Sequence, residues 1–164
     1  MLTVDDTPVS LELFDDPSDL GDNELLRSLS YSEIDLFIVC FSVINRVSFD
    51  NIATKWVPEL RHFSPATPIL LVGTKSDLRE DSALRQYFRE MNIRPISSEQ
   101  GADLTRSLRE AGVIDIRECS ALTMDGVKLL FDATARLALK QTPIKLVNQK
   151  ANKNQATKKA CNLL

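Results

Sequence analysis

Two short stretches carry residues with chemistry to offer. In LLVGTKSDL an apolar run ends and delivers Thr74, Lys75 and Asp77; in RECSALT a second run ends and delivers Ser120 and Ala121. A carboxylate can accept two parallel hydrogen bonds from the ring N–H and exocyclic amine of guanine, a donor pair that adenine lacks. Asp77 is thus a candidate reader of guanine. The aliphatic stem of Lys75 could cover the plane of the base, and the backbone N–H of Ala121 could donate to its carbonyl oxygen. Each stretch alone is generic, since Thr-Lys-Ser-Asp also makes a polar turn and Ser-Ala-Leu also opens helices. Their position raises their weight. In open α/β sheets ligands lie outside the carboxyl ends of the strands, where loops and helix N-termini converge.

A third stretch, LFDDPSDLG at residues 13–21, ends a strand-like segment in acids and a proline. It reads most simply as a solvated turn. As a calcium loop it fails, because Leu20 stands where a third oxygen ligand is needed and Arg27 where a bidentate glutamate is needed. As a phosphate site it is poor, since its charge repels phosphate and Pro17 has no N–H to donate. His62 is the single histidine and follows Arg61 near an expected helix C-terminus, where a positive charge is mildly stabilising. Cys40, Cys119 and Cys161 are odd in number and lack C-x-x-C spacing, which fits reduced thiols rather than a disulfide framework or zinc site.

The elements that must position these residues follow from periodicity. LTV at 2–4 and VSLELF at 9–14 alternate with period two around Asp-Asp-Thr-Pro and predict a hairpin. DLFIVCFSV at 35–43 and PILLVGT at 68–74 are nearly continuous apolar runs, as in strands covered on both faces. IDIRECSA at 114–121 predicts a further strand at or near an edge. Phe49, Ile52, Trp56, Leu60 and Phe63 recur at helical spacing, with Asn45 or Ser48 as N-cap. Ser97 with Gln100 predicts a capping box ahead of Leu104, Leu108 and Ala111, with Gly112 as the stop. A short helix is expected to carry Leu84, Tyr87, Phe88 and Met91, and a last helix to begin at Thr123 with Val127, Leu130, Phe131, Leu137 and Ala138 inward. Such alternation predicts one α/β domain over residues 1–142 and a mobile tail over 143–164.

Charge is unevenly spread. From residue 140 onward there are six lysines (140, 145, 150, 153, 158 and 159) and no acids, so the preceding residues carry −9 of the net −3. The tail has neither arginine nor aromatic side chains for base edges or stacking, which argues against nucleic acid and for an anionic lipid surface. No apolar run approaches the length of a membrane span and no leader-like segment opens the sequence, so an intracellular setting is expected.

In this order the segments resemble the Ras superfamily of small GTPases, and specifically its Rho/Rac branch. LTVDDTPVSLELF is similar to that family's second and third strands, SLSYSEIDLFIVCFSV to its fourth, and KWVPELRHFSPATPILLVGTKSDLRED to the stretch through its guanine motif in the Rho form, T-K-x-D. The helix near 82–91 falls where that branch carries an insert, and ECSALTMDGVKLLFDA resembles the second guanine motif and final helix. The resemblance implies a three-layer α/β/α fold, mostly parallel with an antiparallel N-terminal hairpin. It implies GTP or GDP bound through Thr74, Lys75, Asp77, Ser120 and Ala121, with Mg2+ as cofactor. It also implies effectors and regulators of the Rho type and a role in signalling to the cytoskeleton. It gives Asp15 the place of the aspartate in the family's D-x-x-G motif, which holds Mg2+ through water. Ser18 then replaces the glycine, and Asp19 or Leu20 stands near the glutamine that orients the attacking water, so no catalytic residue is assigned. The C-terminal CNLL resembles a geranylgeranylation box on Cys161, with Asn162 where an aliphatic residue is commoner. A lipid there and the Lys-rich tail imply the cytoplasmic side of the plasma membrane, or the cytosol when Cys161 is unmodified.

The family's phosphate loop, G-x-x-x-x-G-K-[ST], occurs nowhere in the 164 residues; none of the five glycines precedes Lys-Ser or Lys-Thr. Residue 1 corresponds to the family's second strand, so its first strand is expected to be missing from mid-sheet. Either the VSLELF and DLFIVCF strands then pair directly, or both expose unpaired edges. Impaired GTP binding and hydrolysis are the expectation. Three readings stand: a Rho/Rac-like GTP-binding signalling protein, a non-catalytic prenylated interaction module, or a fragment of a longer active GTPase.

Overall fold

The computed structural model describes residues 2–4, 7–15, 24–141 and 162–163. Its centre is a parallel pair, β4 (Phe37–Ser42) and β5 (Ile69–Thr74), in register from Phe37 opposite Ile69 to Ser42 opposite Thr74. Side chains alternate along a strand, and here both faces are covered. Phe37, Val39, Phe41, Ile69 and Leu71 pack on one face with Phe49, Ile52, Val57 and Leu60. On the other face Ile38, Leu70 and Val72 pack with Leu130 and Ala138 of α6 (Val127–Gln141). β6 (Val113–Glu118) pairs with β5 in parallel and forms the sheet edge, as its half-polar pattern predicts.

The helical stripe from Phe49 to Phe63 forms α2 (Arg46–Asn51), a π-helical turn (Ile52–Trp56) and α3 (Val57–Phe63). Asn45 caps it, accepting from the Ser48 amide. The widened turn has a local cause in Pro58. That residue has no N–H for the Thr54 carbonyl and its ring would press on it, so the turn before it opens and Val57 N–H reaches back to Ile52 O. The Ser97–Gln100 capping box forms at the head of α5 (Ser98–Ser107). Two helix limits differ from expectation. α5 ends at Ser107, and Gly112, with φ 78°, belongs to the turn that feeds β6. α6 begins at Val127, because Thr123 is drawn into a turn by its amide's bond to Ser120 Oγ at 3.1 Å. In α4 (Arg85–Glu90) only Phe88 is buried; Tyr87 and Met91 are about half exposed.

At the N-terminal end the hairpin is tighter than predicted. β1 (Leu2–Val4) pairs antiparallel with β2 (Thr7–Val9), Leu2 opposite Val9, so Thr7 and Pro8 lie in the strand rather than the turn. VSLELF is not one strand. β2 stops at Val9, and a separate β3 holds only Phe14 and Asp15. The hairpin makes its own two-stranded sheet and packs Val4 and Val9 against Ala135 of α6.

The mid-sheet gap is resolved in neither expected way. The strand order is β3-β7-β4-β5-β6, where β7 is Asn162–Leu163 from the C-terminus, parallel to both neighbours. Phe14 and Phe37 flank Asn162, and Ile38 lies opposite Leu163. The rest of the expected tail, 143–161 and Leu164, lies outside the described residues. Among the described residues no helix is long and apolar enough to cross a membrane.

Candidate functional site

Backbone bonds fasten the carboxyl ends of β5 and β6 to each other. Cys119 N donates to Gly73 O at 2.9 Å and Ser76 N to Cys119 O at 3.2 Å. These two bonds bring the Thr74–Asp77 segment against Ser120 and Ala121, as expected from the sequence. Thr74 ends β5 and turns its hydroxyl inward, donating to Phe41 O at 3.0 Å. Lys75 is left-handed, with φ 59° and ψ 39°, an arrangement that costs a non-glycine residue energy and reverses the chain at the strand end. Its side chain is exposed. The 3-10 turn Ser76–Arg79 then carries Asp77, half-buried.

On the facing loop Ser120 is fully buried. Its amide donates to Asp125 O at 2.9 Å and its hydroxyl accepts from Thr123 N, so it shapes the loop from within. Ala121 is exposed beside it. Gly126 closes the loop with φ 70°; a Cβ there would lie 2.3 Å from Glu118 O, so only glycine fits.

Sequence reasoning missed the clasp that holds these loops. Arg79 makes two bonds to Glu118, Nη1 to Oε2 at 2.7 Å and Nη2 to Oε1 at 2.5 Å, and its Nε donates to Ile96 O at 2.9 Å. Ser98 Oγ donates to the same carboxylate at 3.1 Å. Arg79 holds the Glu118 carboxyl below the usual carboxylate range, outweighing its burial, with Ser98 assisting. The forked pair ties the turn bearing Asp77 to the strand bearing Ser120. The signal was present in opposite charges two residues past Asp77 and two before Ser120.

A second missed network lies under the N-terminal helix α1 (Glu24–Ser28). Arg27 Nη2 meets Glu59 Oε2 at 2.8 Å and Arg27 Nε meets Oε1 at 3.1 Å, while Tyr31 donates to Glu59 Oε1 at 2.6 Å. Arg27 and Glu59 are about 5% and 6% exposed, and the guanidinium lies 5.4 Å from the Trp56 ring centre. Burial alone would raise the Glu59 carboxyl, but the bonds from Arg27 and Tyr31 win and lower it. Tyr31 is pushed up, first by burial and then by its bond to Glu59. Trp56, on the helical stripe, is half-buried, packs against the core and forms the wall of this network.

Asp15 is exposed at the end of β3, and no group of three His, Cys, Asp or Glu side chains that could hold a metal occurs among the described residues. Mg2+ commonly takes only one or two protein carboxylates beside waters and phosphates, so the exposed Asp15 is in keeping with the through-water role that the resemblance gives it. Its near neighbour Cys40 is pushed up to about 12, by burial first and then by the charges of Cys119 and Asp15, which makes it an inert thiol. Asp16, Pro17, Ser18 and Cys161 lie outside the described residues. His62 is exposed and meets Phe63 edge-on at 4.6 Å.

Chemically, the arrangement offers a carboxylate with two acceptor oxygens, a flanking lysine stem and an exposed loop opposite. No described residue bonds to the Asp77 side chain, which leaves both oxygens to a ligand. Compared with known protein families, the chain matches the Ras family over residues 1–140.

Proposed function

The chain belongs to the Ras family of small GTPases, and from that premise we propose that it is a Rho/Rac-like guanine-nucleotide-binding signalling protein whose hydrolytic half is impaired. Ras-family GTPases bind GTP or GDP with Mg2+ and work through regulators and effectors. In this chain the reading is carried by one observation, the joining of Thr74, Lys75 and Asp77 to the Ser120–Ala121 loop by the Cys119 and Ser76 backbone bonds. The T-K-x-D form of the first stretch supports the Rho branch, and with it effectors and regulators of the Rho type. Impairment is supported by the sequence, which contains no G-x-x-x-x-G-K-[ST] and replaces the D-x-x-G glycine with Ser18. Without that loop the charge stabilisation that dominates phosphoryl transfer has no donor among the residues present.

A guanosine moiety of about 20 heavy atoms, at about 0.3 kcal/mol each, binds with about 6 kcal/mol, a dissociation constant of tens of micromolar. Titration calorimetry of the 164-residue chain with GTP and Mg2+ checks this. GDP and guanosine are expected to bind about as well as GTP, since the phosphates gain nothing. Submicromolar GTP affinity would overturn the claim that the phosphate half is lost and restore the reading as an active GTPase.

For the tail we read a lipid anchor. Transfer to Cys161 forms a thioether from its thiolate and the first carbon of geranylgeranyl diphosphate, releasing diphosphate, with the thiol proton going to solvent. One chain of that kind binds membranes marginally, and the six lysines supply the second attraction, about 1 kcal/mol each near an anionic surface. In cells Cys161→Ser is expected to move the protein from the plasma membrane to the cytosol. An unchanged membrane fraction on flotation removes the anchor.

A further inference from the structure

A concavity of about 510 Å3 lies apart from the base-binding loops, lined by Arg46, Asn92, Arg94, Pro95, Ile96 and Gln100. None of Thr74, Lys75, Asp77, Ser120 and Ala121 reaches it. Sites for small ligands span about 300–1,000 Å3, so the space suits one. Its walls are two loops pinned to each other. The Ile96 amide donates to Val43 O at 2.6 Å and Ile96 O accepts from Arg79 Nε at 2.9 Å, which holds the segment after α4 against the loop between β4 and α2. Asn92, with φ 51°, reverses the chain there, in a left-handed conformation that asparagine adopts more readily than most residues. Half-buried Pro95 and buried Ile96 form an apolar floor.

The polar groups around that floor are donors. Arg46 is held along one edge, where its Nε donates to Asp50 Oδ2 at 3.1 Å, and its Cζ lies 5.3 Å from the Phe49 ring centre. No described residue bonds its two terminal nitrogens. Arg94 is exposed and has no bond or ion pair among the described residues. Gln100 commits its carbonyl oxygen to the capping box, accepting from Ser97 N at 2.9 Å, so its NH2 group remains for the pocket. No carboxylate lines the space, and that of Asp50 is taken by Arg46. Asp50 offsets part of the Arg46 charge; Arg46 therefore contributes a pre-set fork, and Arg94 the uncompensated charge. Planar guanidinium forks match the several oxygens of a phosphate group, and a fork already held loses little freedom on binding.

We propose that this pocket binds a phosphorylated small organic group, its phosphate met by Arg46, Arg94 and the Gln100 amide and its body resting on Pro95 and Ile96. A free organophosphate and the headgroup of a phosphorylated inositol lipid share that chemistry. The site is independent of guanine recognition, since no residue of the base-binding loops lines it.

NMR titration of the 164-residue chain with inositol trisphosphate, at an ionic strength of about 0.15 M, tests the site. Saturable shifts are expected at the Nε–H of Arg46 and Arg94 and at the Gln100 side-chain amide, with Ala121 unmoved. Arg46→Gln and Arg94→Gln should each weaken binding at least about tenfold, the loss of one charge-assisted hydrogen bond or more. Both side chains are exposed, so neither change threatens the fold. Arg109→Gln, which removes an exposed arginine outside the pocket, and Asp77→Asn should leave the affinity as it is. Equal affinity in wild type and both pocket variants, an equal loss from Arg109→Gln, or shifts confined to the lysines beyond residue 140 overturns the site. Vesicles of phosphatidylcholine with phosphatidylinositol bisphosphate, set against phosphatidylserine vesicles of equal charge, identify the source. Preference for the inositol lipid that both pocket variants abolish makes the ligand a lipid headgroup; vesicle binding that they leave unchanged, beside lost trisphosphate binding, makes it a free organophosphate.

Discussion

Glu59→Gln is expected to lower the free energy of unfolding by about 3 kcal/mol, because it removes the carboxylate charge that the buried Arg27 guanidinium meets at 2.8 Å. For a chain of this size that corresponds to a fall in Tm of roughly 6 to 12 °C. Urea denaturation with a concurrent thermal melt measures both. The large effect arises from what is left behind. Replacing Arg27 and Glu59 together by methionine removes both charges, and buried pairs replaced this way are often close to neutral. A double variant as damaged as Glu59→Gln would show that packing, not the lost ion pair, sets the cost.

The pH dependence follows with a definite sign. The folded carboxyl of Glu59 is lowered, so its stabilisation is complete above the ordinary carboxylate range, about 4.3, and fades as pH falls through the lower folded value. The gap between wild type and Glu59→Gln should thus be constant near neutrality and shrink below about pH 4. A gap that widened in acid would contradict the assignment. Glu118, lowered chiefly by Arg79, adds to acid sensitivity in both chains and cancels in the difference.

Asp77→Asn is expected to weaken guanosine binding on the order of 100-fold, from tens of micromolar to millimolar, since one hydrogen bond to the carboxylate, worth about 1.5 kcal/mol, gives way to a donor facing a donor and the other keeps only a neutral acceptor. An amide offers one acceptor and one donor where the carboxylate offered two acceptors. The variant should therefore turn toward a base with a carbonyl in place of guanine's exocyclic amine, and xanthosine is the probe. Competition of guanosine, adenosine and xanthosine in calorimetry reads the result. Equal guanosine affinity in wild type and variant would take Asp77 out of the base site. Arg79→Met is a useful companion: it unclasps the loops without touching the base, and so separates positioning from recognition.

Much of this arrangement was legible from residue order. Continuous apolar runs at 35–43 and 68–74 became β4 and β5, buried on both faces, since nothing but a doubly covered strand tolerates apolar side chains at every position. The Ser97–Gln100 box and the Asn45 cap formed where expected, because a cap is decided by side chains within three residues of it. The Thr74–Asp77 segment and the Ser120–Ala121 loop met because adjacent parallel strands deliver their loops to one edge. Failures occurred where a local pattern competed with a distant partner. VSLELF alternates well enough for a strand, yet β2 ended at Val9 and β3 kept two residues, since pairing depends on a neighbour that alternation does not reveal.

By itself, then, the sequence determined the α/β alternation, the strand ends that carry Thr74, Lys75, Asp77, Ser120 and Ala121, and the lack of a phosphate loop within these residues. Those depend on side-chain period and on residues close together in the chain. Tertiary structure alone decided the clasp of Arg79 on Glu118, the network of Arg27, Tyr31 and Glu59, and the filling of the gap by Asn162 and Leu163. Each joins residues far apart in sequence, and what selects the pair is the need of a buried charge or backbone amide for a partner, which acts only once the chain has folded around it.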